Sequence, residues 1–217
     1  MRKWDLILLA GTAFIFHIPA ETTETVKPPA NGSFLMPVED VFSVSGRGTF
    51  ATGIIERGRV NTGDSVEIIG FADTLTKSKV KGILSSNKAV LQAGPGDNIS
   101  LVLSGVDKSQ VRRGMVIVQP GTIKSYTEFS CEIILKKTEG SIIVKPVTSD
   151  SRRQFYFRNV DISGVINLHS VKELQPGGAA TATILLVHPV ALEKDLHFDL
   201  RESGKTIGYG KVTALLK

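Results

Sequence analysis

From Ser33 onward, short runs of β-forming side chains alternate with turn signals, and this pattern predicts β structure almost throughout. The turn signals lie at 61–64 and 93–97, where asparagine, glycine, proline and aspartate separate apolar runs. Residues 107–113 are predicted to form one helical turn. The strands predicted in this first series are Val38–Val44, Thr49–Glu56, Ser65–Phe71, Lys77–Leu84, Asn98–Val106 and Met115–Gln119. Short strands at regular spacing are typical of small barrels and sandwiches.

A second β series follows the interruption at Pro120 and Gly121. Its predicted strands are Glu128–Lys136, Phe155–Val160, Gly164–Leu168, Ala179–His188, Leu196–Arg201 and Thr206–Leu216. No stretch in either series has helical periodicity longer than that near the N-terminus. The predicted fold class is therefore all-β, with two consecutive β-barrels at residues 34–121 and 122–217, and a short N-terminal helix and linker before them.

The first 33 residues allow two interpretations. Trp4–Ile18 is mostly apolar but interrupted, and it is shorter than the roughly 20 apolar residues that a membrane span needs. A basic start, an apolar centre and Ala20 fit an exported protein with a signal at residues 1–20, whereas Asp5 favours a helix and a cytoplasmic protein. Residues 21–33 form an extended linker, because two adjacent prolines block a helix there.

One hairpin stands out for its chemistry. Residues 37–58 carry β-forming side chains on both sides of a turn at 45–48 that contains two glycines. Glu39, Asp40 and Phe42 lie at the mouth of this hairpin. Two carboxylates beside an aromatic ring suit a binding pocket, and they suit a solvated sheet edge equally well.

Composition and charge narrow the range of functions. A chain of 217 residues that is 41% hydrophobic and 22% charged has the composition of a globular protein, not of a disordered one. The net charge of +5 is spread without a dense basic block, which gives no sign of a strong, sequence-independent grip on nucleic acid. The single cysteine, Cys131, excludes an intrachain disulfide, and the four histidines show no ligand spacing. We therefore expect no metal site.

One fragment imitates a nucleotide-binding loop. Ser203–Thr206 reads Ser-Gly-Lys-Thr, like the end of a phosphate-binding loop, but the glycine that such a loop needs is replaced by Asp199. The residues that follow have a strand pattern instead of a helical one, so the fragment is predicted to be a tight hairpin turn. No catalytic residues, cofactor or bound nucleotide are expected, and we expect the chain not to be an enzyme.

Several separated motifs are spread along about 185 residues. They are Phe34–Phe42, Gly46–Thr49, Gly63-Asp64, Gly96–Asn98, Arg113–Val116, Pro120–Lys124, Gln154–Arg158, His188–Ala191 and Leu200–Gly208. These motifs, and the order in which they occur, resemble those of the elongation factor Tu family. The resemblance covers domains 2 and 3 of that family and implies two β-barrels. The family's GTP-binding domain has no counterpart here. At most, Trp4–Pro19 resembles the last helix of that domain.

The resemblance also implies binding residues. In the family, the second domain holds the aminoacyl end of charged tRNA, and the matching positions are Glu39, Asp40, Phe42, Thr52 and Asn98. Such a pocket needs an apolar wall and polar groups that receive the α-amino group. The positions that match the family's tRNA backbone contacts are Arg152, Arg158 and Lys205.

Other positions depart from the family. Where the family places side chains against the terminal adenosine, this chain reads Leu-Ser-Ser-Asn at 84–87. The family's tRNA-facing segment of the third domain is replaced at 140–146, and Lys205 replaces an arginine whose planar fork suits phosphate. The sequence therefore predicts a translation factor-like binding module that contacts aminoacyl-tRNA, the ribosome or another translation factor, with weakened binding of tRNA. The alternative is a degenerate or truncated relative that serves as a protein-interaction or exported surface scaffold.

Overall fold

A computed structural model describes residues 32–71, 75–138, 144–169 and 171–217. The predicted N-terminal helix or signal, and the linker up to residue 31, lie outside these ranges. So do residues 140–143 of the segment that departs from the family. The boundaries predicted at 33/34 and 121/122 stay predictions.

The described residues form 18 strands and one short 3-10 helix, Lys108–Gln110, which lies within the predicted helical turn. The strands of the first half are β1 Leu35–Pro37, β2 Asp40–Val44, β3 Gly48–Ile54, β4 Val60–Asn61, β5 Ser65–Ile69, β6 Thr76–Ser85, β7 Lys88–Val90, β8 Gln92–Ala93, β9 Asn98–Ser104 and β10 Val116–Val118. Those of the second half are β11 Lys124–Leu135, β12 Val147–Thr148, β13 Ser151–Phe157, β14 Val160–Leu168, β15 Glu173–Leu174, β16 Ala179–Leu192, β17 His197–Glu202 and β18 Lys205–Leu215.

The first sheet curls into a barrel. Its antiparallel strands run in the order β1-β10-β5-β6-β9-β3-β2, and β7 pairs with β6 beside this path. A bridge between Leu35 and Arg57 joins β1 to the chain just after β3, and the Leu35 N–H donates to the Arg57 carbonyl at 3.1 Å. The backbones of β1 and β3 also approach each other closely at Gly53. Only glycine fits at this position, because a Cβ on Gly53 would lie 2.1 Å from the Pro37 carbonyl oxygen.

The second sheet is a closed six-stranded barrel in the order β11-β16-β14-β13-β17-β18. Its core contains four buried phenylalanines that contact one another with ring centroids 5.3–5.8 Å apart: Phe129, Phe155, Phe157 and Phe198. Edge-to-face and tilted ring pairs of this kind add to the stabilisation that comes from area burial alone. The all-β class and the two barrels are thus confirmed.

Most predicted strands lie within a few residues of the observed ones, but Phe155–Val160 is wrong as a single strand. The chain turns at Arg158 and Asn159, so that β13 ends at Phe157 and β14 begins at Val160. Arg158 has a φ of 49°, which is unusual for a residue with a side chain and gives no compositional turn signal. The turn predicted at Ser203–Thr206 is confirmed, with Ser203 and Gly204 at φ 49° and 75° between β17 and β18.

The two barrels contact each other through an apolar patch and a charged network. The patch consists of the buried side chains Leu35, Ile69, Val116, Val118, Ile123 and Ala191. Beside it, both Arg57 amino groups donate to the Glu193 carboxylate at 2.8 Å, and Arg158 Nε donates to Glu56 at 2.7 Å. Arg158 also donates to Glu193 and to a backbone carbonyl. We call Glu56, Arg57, Arg158 and Glu193 the interbarrel network.

Replacing Glu193 is expected to destabilise the protein strongly. In Glu193→Ala, Arg57 loses a bidentate partner and Arg158, whose side chain is only 7% exposed, loses one of its two carboxylates. Removing one partner of a mostly buried ion pair costs about 3 kcal/mol, since the remaining charge stays desolvated. Urea unfolding followed by circular dichroism measures this loss.

The matched control is Asp161→Ala, which removes a more exposed carboxylate 3.7 Å from Arg201. Exposed pairs contribute about 0–1 kcal/mol, so this variant should unfold close to the wild-type midpoint. Equal destabilisation by the two substitutions would show that the interbarrel network has no special weight.

Candidate functional site

The outward side of β2, β3 and β9 gathers most of the side chains that the sequence singles out. Directly opposite residues of antiparallel strands point to the same side of the sheet. Asp40 lies opposite Thr52, which lies opposite Ser100 on β9. In the neighbouring rows, Phe42 pairs with Phe50, and Asn98 is the partner of Ile54. We call this surface the outer face. It brings together four predicted pocket residues: Asp40, Phe42, Thr52 and Asn98.

Glu39, the fifth predicted residue, precedes β2 and lies at the edge of the outer face. Its N–H donates to the Thr52 carbonyl at 2.8 Å, which fixes its backbone against β3. The Thr52 hydroxyl donates to the Asp40 carbonyl at 3.3 Å, and one Asp40 carboxylate oxygen accepts the Val41 N–H at 2.8 Å. Glu39 and Asp40 are both exposed. Their carboxylates therefore present negative charge beside the ring of Phe42.

Phe42 is not a core side chain. It stacks on Phe50 with ring centroids 5.1 Å apart and an interplanar angle of 9°. Phe50 is 3% exposed under this stack, whereas Phe42 is 38% exposed and offers ring surface to solvent. By contrast, Phe155 and Phe157 lie in the core of the second barrel. The stack gives the outer face an aromatic surface.

A pocket of about 270 Å³ adjoins this stack. Phe50, Leu84 and Val102 provide its apolar lining, and Arg47 and Lys81 also border it. We call it the Phe50 pocket. An apolar cleft with cations at its border suits a flat apolar group that carries a nearby anion, such as a base attached to a phosphate. Leu84 therefore lines a pocket, although the sequence marked it only as a departure from the family.

The three basic residues predicted to contact a tRNA backbone are not equivalent. Arg152 is exposed on β13, and Lys205 is exposed just after the turn between β17 and β18. Arg158 differs from both, because its side chain is 7% exposed and all three of its guanidinium nitrogens donate within the protein. Its guanidinium belongs to the interbarrel network and is not open to a phosphate.

The described residues show little sign of reactive or metal chemistry. They include no group of three or more His, Cys, Asp or Glu side chains that could hold a metal ion. Burial raises the pKa of the Cys131 thiol to about 12, and the Glu132 carboxylate adds to this effect. The thiol is thus held in its unreactive protonated form. No helix in the described part of the chain has the length and apolar character of a membrane span.

Sequence reasoning missed Phe50, Lys81 and Val102 as residues of the site. Phe50 and Val102 are strand residues, and alternation from Phe42 through the hairpin register could have placed Phe50 on the outer face. Lys81 gave no such signal, because a register shift between Val80 and Gly82 interrupts the alternation there.

The structure thus defines a class of protein with two antiparallel β-barrels in sequence. The first barrel carries the outer face, which is the candidate binding surface. Comparison with known families agrees with this class. The family model described as elongation factor Tu domain 2 matches residues 48–118, and the model described as elongation factor Tu C-terminal domain matches residues 122–216. These matches cover most of the chain, which therefore belongs to the elongation factor Tu family. No match to the family's GTP-binding domain was found.

Cys131 should resist alkylation in the folded protein. With its pKa raised to about 12, the thiolate fraction at pH 8 is about a thousandfold below that of a free cysteine. Burial adds a steric barrier. We expect labelling by iodoacetamide at pH 8 to be at least about a thousandfold slower in native protein than in urea, as measured by mass spectrometry. Comparable rates in the two states would contradict the buried placement.

Proposed function

We propose that this chain binds the aminoacyl end of charged tRNA on the outer face of its first barrel, as a translation-related binding module. One observation carries the proposal: the β2-β3-β9 register gathers Asp40, Phe42, Thr52 and Asn98 on a single surface beside the Phe50 pocket. Membership of the elongation factor Tu family supports the same function.

Each part of the proposed ligand has a chemical counterpart on this surface. The carboxylates of Glu39 and Asp40 attract the α-ammonium group of the attached amino acid. Apolar side chains of that amino acid pack on the exposed ring of Phe42. The terminal base enters the Phe50 pocket, and Arg47 and Lys81 at its border meet the phosphate.

The proposed binding is weak, because one of the three predicted contacts to the RNA backbone is not available. Arg158 is committed to the interbarrel network, which leaves Arg152 and Lys205 of the three predicted backbone contacts. Together with Arg47 and Lys81 at the Phe50 pocket, they provide four cations to neutralise phosphates. The slope of log K against log salt should therefore be shallow, about −2 to −4.

Phe42→Ala is expected to weaken binding of aminoacyl-tRNA about fivefold to fiftyfold, because the substitution removes the exposed ring of the outer face. Fluorescence anisotropy of a labelled, stably aminoacylated tRNA at about 50 mM salt measures the affinity. Deacylated tRNA should bind about fivefold more weakly than aminoacyl-tRNA, since it lacks the ammonium group that the two carboxylates attract.

The matched control is Tyr209→Ala, which removes an aromatic ring of similar exposure from the second barrel. It should leave the affinity for aminoacyl-tRNA unchanged. Absence of measurable binding by the wild-type protein at low salt would refute the proposal, because phosphate contacts are strongest there. Equal binding of aminoacylated and deacylated tRNA would refute the role of the outer face.

We also propose that the 217-residue chain acts by binding and does not hydrolyse GTP. The Ser203–Thr206 fragment joins two strands of a barrel and precedes no helix, so it lacks the helix N-terminus that holds phosphate in nucleotide-binding loops. The purified chain should release no inorganic phosphate from GTP above the buffer rate. Turnover that scales with protein concentration and is lost in Lys205→Ala would contradict this.

A further inference from the structure

A second pocket of about 270 Å³ adjoins the Phe50 pocket and shares Lys81 and Leu84 with it. We call it the β7 groove. The residues that line it are Thr62, Lys81, Gly82, Ile83, Leu84, Ala89, Val90 and Leu91. Leu91 is 82% exposed, more than any other large apolar side chain in the described part of the chain. Leu91 is not isolated, because it continues the apolar lining that Ile83, Leu84, Ala89 and Val90 provide, and contiguous apolar surface is typical of a contact site.

The strand beside this groove has an unpaired edge. Among the described strands, β7 pairs with β6 alone. Ser86 and Asn87 have φ values of 49° and 62°, which form a two-residue hairpin turn of type I′. Because hydrogen-bonded and non-hydrogen-bonded pairs alternate from such a turn, Lys88 and Val90 bond towards β6, and the N–H and carbonyl of exposed Ala89 point away.

The charged side chains that border the groove are positive. Lys81 is the extra residue at the register shift between Val80 and Gly82, and it is an exposed side chain. A bulge of this kind re-aims a side chain, and Lys81 borders the groove as a result. Lys88 is exposed at the first position of β7. No carboxylate of the described residues lines either of the two adjoining pockets. A ligand with negative charge is therefore complementary to this surface.

The lining distinguishes a peptide from a nucleic acid. Bases bind by stacking on aromatic rings or guanidinium planes. The described lining of the β7 groove has neither, since its apolar part comes from aliphatic side chains such as Leu84, Val90 and Leu91. Aliphatic pockets beside a free strand edge are the elements by which proteins bind an extended peptide as an added strand.

We propose that the β7 groove binds an extended, acidic segment of a partner protein by strand addition to β7. The main chain of the segment pairs with Ala89, an aliphatic side chain of the segment packs against Leu84 and Leu91, and a carboxylate meets Lys81. This site shares Lys81 and Leu84 with the Phe50 pocket, but the proposal does not rest on the proposed binding of aminoacyl-tRNA.

The test uses the full chain labelled with ¹⁵N and a capped nonapeptide in which valine and aspartate take turns at every second position with serine between them, so that both residue types lie on one face of the extended peptide. Titration should shift the amide signals of residues 88–91, and it should slow hydrogen exchange at Ala89, because its N–H gains a partner. Lys81→Glu should weaken binding by about tenfold or more, because it places a like charge opposite the peptide carboxylates. Lys79→Glu is the matched control, since Lys79 is exposed on the same strand but lines neither adjoining pocket.

Two further arms test the main-chain contact. A peptide of the same sequence with alternate N-methylated amides keeps its charge and side chains but cannot pair as a strand, so it should not bind. Ala89→Pro should also abolish binding while preserving the dispersed spectrum, since the N–H that it removes points away from β6.

Three results would overturn the proposal: no shifts at residues 88–91 with millimolar peptide, equal effects of Lys81→Glu and Lys79→Glu, or unimpaired binding of the N-methylated peptide. Shifts of the same β7 amides by a short single-stranded RNA, without any by the peptide, would identify a nucleic-acid site instead. None of these titrations contains tRNA, so their results can be interpreted even if the chain does not bind aminoacyl-tRNA.

Discussion

The alternation of side chains along antiparallel strands is the constraint on which this molecule depends. In each barrel, every second residue must fill the interior, which leaves only the outward residues free to bind. Ala51 and Leu101 are fully buried and lie opposite each other, and the next pair along the strands carries Thr52 and Ser100 on the outward side. A slip of one residue would exchange the two sets and destroy core and site together. Packing of the core thus also fixes the register of the outer face.

The interbarrel network shows that an arginine can stabilise an interface between domains where the sequence suggests a contact to RNA. A basic residue near a predicted RNA surface invites a phosphate contact, but Arg158 is held by Glu56, Glu193 and the Ala191 carbonyl. Desolvating a guanidinium is costly unless its donors are satisfied, and these oxygens satisfy them. Releasing Arg158 to a phosphate would leave Glu193 with Arg57 alone and Glu56 with only a 3.8 Å contact to Arg57. Its structural role therefore excludes a binding role in this arrangement of the barrels.

Much of the fold is predictable from sequence because turns and alternation are local. The residues of the hairpin that carries Phe42 specify both of its strands and its turn. The partners of Arg158 could not be found from sequence, because they lie 102 and 35 residues away and no local pattern reports such a contact. The Phe50 pocket combines residues of three strands with Gly46 and Arg47 of a turn, and each strand residue looked ordinary in the sequence. In the sequence, Leu84 was only a departure from the family's residues that contact the terminal adenosine, because the sequence does not show which side chains surround it.

Lys81 connects the two proposed activities. It borders both the Phe50 pocket and the β7 groove, so a phosphate in one pocket and a carboxylate in the other would require the same ammonium group. One lysine cannot neutralise two anions at contact distance, and the second anion would also meet the charge of the first. If both ligands bind, each therefore lowers the affinity of the other by the same factor, as reciprocal coupling demands. The bulge that exposes Lys81 would then make RNA binding sensitive to a protein partner without any change in the fold.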